Sequence, residues 1–330
     1  MDEISISQAF TGYLETVAAA RNANTARAYR NAIQFFAQTL TANGISPGTA
    51  KISALTEDAV TRLAAALKPY APATEKLYLG AIVGFYKYLA AENLAPVNLP
   101  RLEMLVKMRS RPPGVRLPQF ERDDIEQTLN YAQSLPSSPV DEPQRLPSLR
   151  DRAFLLTLAD TGLRVHEACS LRRGDVDWNE AKAILIGKGN KQAVVRFSSR
   201  ALRALKDYLD ARAPLDGGSG RPLPSLPLFA RHDKGAGSKV KPITTTTGRN
   251  IVKERVREAL GEEKVGSITP HTFRHYFVTT VLRGSGGNLK LAQELARHQN
   301  IAVTQRYAHL ADDELDQGYH GIFEGSDETP

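Results

Sequence analysis

Ala181-Lys-Ala-Ile-Leu-Ile-Gly187 and Gln192-Ala-Val-Val-Arg-Phe197 are two short runs of β-branched and apolar residues, separated by Lys188-Gly-Asn-Lys191. Gly-Asn is a good turn pair, so the stretch predicts a β-hairpin. Everything around it carries helical spacing. Upstream, the apolar pattern marks helices over Glu121–Leu135, Leu149–Asp160 and Val165–Leu171. Downstream it marks Ser199–Arg212, Thr247–Leu260, Pro270–Leu282, Leu289–Arg297 and Val303–Leu310. Two Pro-, Gly- and Ser-rich stretches, Pro136–Ser148 and Pro214–Pro242, read as surface loops. One hairpin among helices describes a mixed α+β domain with a small antiparallel sheet.

The first hundred residues read as helices throughout. Between Ala23 and Leu40, residues Ala28, Ala32, Phe35, Phe36 and Leu40 fall at helical spacing. Thr56, followed by Glu57 and Asp58, predicts an N-cap and a helix through Val60, Leu63 and Leu67. Pro72 opens a third long helix with Leu77, Ala81, Phe85 and Leu89 on its core stripe. The segment Arg109-Ser-Arg-Pro-Pro-Gly-Val-Arg116 then marks a domain boundary, and its three arginines suit either a strap along a polyanion or a soluble linker. The fold class expected is mainly α in two domains, a helical bundle followed by the mixed domain.

Composition narrows the function classes. The chain has 330 residues, 42% of them hydrophobic and 24% charged, which excludes collagen-like, disordered and low-complexity classes. No stretch approaches the roughly 18 uncharged apolar residues of a membrane span. The amino-terminal segment is acidic and lacks a signal-peptide pattern. A single cysteine, Cys169, forbids an intramolecular disulfide framework and a multi-cysteine zinc site, and a cytoplasmic protein is expected. The net charge of +7 is unevenly distributed. From Ala311 onward there are seven acids and no Lys or Arg, so residues 1–310 carry 43 basic against 29 acidic residues, a net +14. Such a body fits a nucleic-acid partner or a merely solvated basic face.

Chemistry concentrates late in the chain, where five of the seven histidines lie between His271 and His320. In Thr269-Pro-His-Thr-Phe-Arg-His275, Thr269 is a good N-cap and Pro270 a good first helical residue, placing His271 and Arg274 on one face of the first turn. That pair suits phosphate, although a core histidine beside a surface arginine is the plainer alternative. His271 and His275 have the i, i+4 spacing of a zinc-protease helix, but Thr272 replaces the required Glu and Arg274 opposes a cation, so no metal is expected. On one unbroken helix His298 and Tyr307 would be about 900° apart, on opposite faces. Gln299-Asn300 offers a break that turns both toward one site. In Asp160-Thr-Gly-Leu-Arg-Val-His-Glu167, Gly162 ends one helix, Arg164 stands at the mouth of the next, and Glu167 is placed to brace it.

Taken in order, GLRVHE from Gly162, GKGNKQ from Gly187, HTFRH from His271, and LARH from Leu295 with a tyrosine nine residues after its histidine resemble the tyrosine site-specific recombinases of integrase and Xer type. Carried over position by position, the resemblance implies that Arg164 and Arg274 bind the scissile phosphate. It implies Lys188 as the catalytic lysine, with Lys191 a nearby competitor and DNA contact. His271 matches the first residue of the family's His-x-x-Arg and is the expected aid to deprotonation, His298 holds the His/Trp position, and Tyr307 is the nucleophile. Arg297 departs from the pattern, since the family usually has Gly there.

The resemblance further implies a SAM-like core-DNA-binding domain at residues 1–108 and a catalytic domain at residues 118–311. The strap 109–117 would carry DNA-binding Arg109, Arg111 and Arg116. The acidic tail 312–330, with Leu315, Tyr319, Ile322 and Phe323 as anchors, would dock on a neighbouring protomer of a tetramer on double-stranded DNA. A 3′-phosphotyrosyl intermediate would form without metal, ATP or other cofactor. The span before the strap fits a core-binding module without a further arm-binding domain. A type IB-like topoisomerase activity and a non-catalytic DNA-binding architectural protein are the alternatives.

Overall fold

Capping side chains set many of the element boundaries in the computed structural model, which describes residues 3–112, 120–135, 142–186, 192–233, 235, 239–298, 300–305 and 307. The chain divides into two units, Met1–Arg116 and Leu117–Pro330.

The first unit is helical: α1 Ile6–Ala20, α2 Ala23–Ala42, α3 Asp58–Ala66, α4 Pro72–Ala91 and α5 Leu99–Arg109. Ser5 and Gln8 form a capping box on α1, Asn22 caps α2 through the Thr25 N–H, and Asn98 caps α5 through the Arg101 N–H. The core is aromatic, with the Phe10 and Phe85 ring centroids 4.8 Å apart and Phe36 fully buried. Two buried phenols find acceptors: Tyr13 donates to the Ala81 carbonyl at 2.9 Å and Tyr86 to the Thr56 carbonyl at 2.7 Å.

Two expectations for this unit change. Glu57, not Thr56, is the N-cap of α3; its carboxylate accepts from the Asn98 N–H at 2.6 Å and from Arg101 at 3.1 Å, tying α3 to α5. Leu77 is 44% exposed, while Ala81, Phe85 and Leu89 are buried as expected. The inward stripe of α4 runs Glu75, Leu79, Ile82, Tyr86, Leu89, and two residues of helix turn Leu77 about 200° away from Glu75. Buried Glu75 accepts from Lys68 and from both the backbone and side chain of Arg111.

The second unit contains α6 Arg122–Ser134, α7 Glu142–Thr161, α8 Val165–Ser170, β1 Val176–Asp177, β2 Lys182–Ile186, β3 Gln192–Arg196, α9 Ser199–Gly217, α10 Thr245–Leu260, α11 Pro270–Gly284, α12 Leu289–Ala296 and α13 Ile301–Gln305. Its strands form an antiparallel sheet in the order β1-β2-β3. The register sets Ala183 opposite Val195 on the buried face and Ile184 opposite Val194 on the exposed one, the alternation the hairpin reading requires. At two residues, β1 is too short to announce itself by periodicity.

Both expected loops are partly helical. Helix α7 begins at Glu142 and contains Pro147, so a proline one turn inside the helix was read as loop. Helix α9 runs past Arg212 and through Pro214 to Gly217. The added turn supplies Asp216, whose carboxylate neutralises fully buried Arg212 at 2.9 Å. Arg212 also donates to the carbonyls of Pro227 and Leu228, pinning the segment beyond the helix. The central α7 packs Phe154, Leu155 and Leu158 into a core shared with Phe229, Val252 and Phe273.

Candidate active site

Gly162 ends α7 with φ +59°, and Arg164 two residues later is the N-cap of α8. The Arg164 N–H donates to Glu167 Oε2 at 2.8 Å and its Nη1 to Oε1 at 3.0 Å, so the expected brace is present. The side chain of Arg164 is 44% exposed, leaving the guanidinium accessible.

Helix α11 starts with Thr269 capping Thr272 and with Pro270 in its first turn. Its first turn presents His271 toward solvent and buries Arg274. Arg274 donates through Nη1 to the Gly162 carbonyl and through Nη2 to the Ala296 carbonyl. One guanidinium thus ties the α7–α8 turn to the end of α12.

The chain reverses after α12 at Arg297, which is left-handed with φ 58° and ψ 42°. The expected break is present, since α12 ends at Ala296 and α13 begins at Ile301 beyond Asn300, but the left-handed residue is Arg297 rather than Asn300. Such a backbone costs a side-chain-bearing residue about 1–2 kcal/mol. Arg297 contacts Glu167 at 3.3 Å and the Gly162 carbonyl at 3.4 Å, which fixes its side chain against the same turn. His298 follows, nearly buried, with Nδ1 2.9 Å from Thr304 Oγ1. After α13, Tyr307 is 3% exposed, stacked at 6.4 Å on the His298 ring. Its hydroxyl hydrogen-bonds to Nδ1 of His275.

Arg164, His271, Arg274, His298 and Tyr307 therefore belong to one cluster in the second unit. Lys188, Lys191 and Arg116 lie outside the described residues, as does the tail 312–330. Arg109 and Arg111 belong to the first unit: Arg109 closes α5, and Arg111 donates to Glu75 and to the Tyr70 carbonyl. Sequence reasoning weighed His275 as a zinc ligand and missed it as a partner of Tyr307. Its spacing from His271 was the available signal, since i and i+4 share a helix face. Among the described residues no group of three or more His, Cys, Asp or Glu side chains is arranged to hold a metal ion.

Residues 119–314 match the phage integrase family. The tyrosine recombinase XerC of Pelobacter propionicus is 33% identical over 241 residues, covering 73% of this chain and 70% of the relative. This chain is a tyrosine site-specific recombinase of the phage integrase family. XerC of Bacillus subtilis is 31% identical to the recombinase over 243 residues, 73% of this chain and 71% of the relative. Solved structures share its fold. The Tn1549 transposon integrase in complex with transposon right end DNA has a TM-score of 0.67 at 17% identity, over 97% of this chain and 100% of that one. XerH bound to its palindromic difH substrate has a TM-score of 0.65 at 18% identity, over 93% and 83%.

The electrostatics of the recombinase's cluster favour an anion. Arg164 and Arg297 pair with Glu167, and Arg274 adds a third guanidinium to that single carboxylate's surroundings, leaving positive charge in excess. Burial, then repulsion from Arg164 and Arg297, lowers the Arg274 pKa to about 10. Burial and neighbouring arginines push His271 down as well, and they take His298 to about 4, so both imidazoles are neutral at neutral pH. Burial works to raise Glu167, but the Arg164 N–H and the Arg297 and Arg164 charges outweigh it and hold the carboxyl below its ordinary value.

Proposed function

We propose that this recombinase cuts and rejoins duplex DNA at a specific site through a 3′-phosphotyrosyl intermediate on Tyr307. The observation that carries the reading is the convergence of Arg164, Arg274, His298 and Tyr307 from three separated segments in one cationic cluster. Tyr307 Oη attacks phosphorus, the bond from phosphorus to the 5′ oxygen breaks, and the phosphodiester energy is kept in the protein–DNA bond. Negative charge developing on the phosphoryl oxygens is met by Arg164, Arg274 and His298, with exposed His271 beside them. Lys188, which follows β2 in the sequence, protonates the leaving 5′ oxygen. Because the energy is conserved, religation to a second strand proceeds without ATP, and the arginines supply the charge stabilisation that a metal would otherwise give.

Both of these neighbours were solved with DNA, which supports duplex DNA as the partner here, gripped through Arg109, Arg116 and Lys191, whereas Arg111, expected to join them, is held by Glu75 and the Tyr70 carbonyl. Strand exchange needs paired sites, hence a tetrameric synapse, and the acidic tail 312–330 docks on the neighbouring protomer. Truncation after Ala311 is then expected to weaken pairing of two sites while sparing binding to one, measured by gel shift; unchanged pairing contradicts the docking role. A protein acting on DNA in this way is expected in the cytoplasm.

Incubation with a nicked suicide site, in the presence of chelator and without ATP, is expected to trap a covalent protein–DNA adduct. Tyr307→Phe is expected to abolish it. An adduct that persists in that variant, or that forms only with added metal, contradicts the mechanism.

A further inference from the structure

His275 is the residue of the HTFRH segment for which the reading above has no role. It lies one turn after His271 on α11, and the two rings are 4.2 Å apart, edge to face. On another side the Phe120 ring lies nearly parallel to it at 6.5 Å. The Tyr307 ring is 5.2 Å away, with its hydroxyl hydrogen-bonded to Nδ1 of His275. The imidazole is therefore held by neighbours around it and aimed at the one atom of Tyr307 that would react.

We propose that His275 is a further catalytic residue, the group that takes the phenol proton as Tyr307 attacks the scissile phosphate. The inference rests on the reading of Tyr307 as nucleophile. In the step, the phenol O–H bond breaks and the proton passes to Nδ1, while Oη forms its bond to phosphorus. The bond to the 5′ oxygen breaks, and that oxygen takes the proton from Lys188. On religation the protons return by the same routes. The tautomer required carries its hydrogen on Nε2, leaving the Nδ1 lone pair to accept from the phenol.

The groups facing His275 make it a base switched by substrate. From its own helix come His271 and Arg274; from the segment after α12 come His298 and Tyr307; Phe120 adds no charge. Burial, then His271, Arg274 and His298, hold its pKa at about 4, so it is neutral and able to accept at neutral pH. A scissile phosphate among Arg164, Arg274 and His298 brings negative charge against those cations. An opposite charge nearby favours the imidazolium, so basicity rises when substrate is in place.

The test is single-turnover adduct formation on the suicide duplex with the full chain, from about pH 6 to about pH 10, around the phenol's ordinary pKa. His275→Ala is expected to slow cleavage by roughly 100-fold at neutral pH, with the deficit shrinking as pH rises and the phenol ionises unaided. His275→Gln, which keeps an acceptor of similar size but takes up no proton, is expected to show the same loss and the same pH profile. It also carries the test if the alanine variant no longer binds DNA by gel shift. Wild-type cleavage by His275→Gln, or a deficit constant across pH, overturns the proton-acceptor role. Tyr307→Phe run beside them separates the two assignments. A persisting adduct there overturns the nucleophile, whereas its loss together with undiminished His275 variants overturns this inference alone.

Discussion

Arg274 shows how one side chain serves both architecture and charge. Two of a guanidinium's five N–H donors are committed to the Gly162 and Ala296 carbonyls, while its charge adds to that of Arg164 and Arg297. A lysine ammonium keeps the charge but lacks the planar fork that spans the two carbonyls. Arg274→Lys is therefore expected to lower cleavage on the order of 100-fold or more. Leaving a buried carbonyl without its donor should also cost about 1–3 kcal/mol of stability, read as a lower Tm. Cleavage and Tm both at wild-type values would contradict this dual role. Glu167 is the complementary case, a carboxylate kept ionised by the arginines it orients.

At the scale of elements, the α7–α8 turn is the piece on which the site hangs. Its left-handed Gly162 lets the chain reverse within one residue, and its carbonyl receives Arg274. A Cβ on Gly162 would come within 2.4 Å of the Phe277 ring. Gly162→Ala is expected to destabilise the protein by about 2 kcal/mol or more, from left-handed strain and overpacking together. It is also expected to depress cleavage, because Arg164 and the anchor of Arg274 shift with the turn. Thermal melts and adduct assays check both effects, and an unchanged Tm would refute the packing argument. The second reversal, at Arg297, shows why helix ends were legible only in part. Periodicity located α12 within a residue, yet the left-handed residue is Arg297, whose side chain is gripped by Glu167 from a distant segment.

Across the whole molecule, buried imidazoles link folding to pH. His232, His275 and His298 each have a pKa of about 4, lowered by burial first and by nearby positive groups next. Unfolded histidine titrates near 6.5, so between about pH 6.5 and 4 the unfolded chain binds more protons than the folded one. Stability is then expected to fall as pH drops through that window and to level off, as far as these groups are concerned, below it. Melts in a pH series should show Tm declining there, with a shallower decline in His298→Gln. A flat Tm across the window would contradict the burial of neutral imidazoles.

By itself, the sequence determined the helices, the hairpin, the basic body and the order of the chemical motifs. Capping residues, turn pairs and apolar spacing act over a few positions, so they can be read locally. The cluster was legible through the resemblance, because GLRVHE, HTFRH and LARH with a tyrosine nine residues on stood in the family's order. Only the tertiary structure decided that Glu57 rather than Thr56 caps α3, that Leu77 faces outward, and that α9 continues through Pro214 to neutralise Arg212. It also decided that His275 rather than His271 meets the Tyr307 hydroxyl. Each of these depends on which element lies against which, and that is set by packing between residues far apart in the chain.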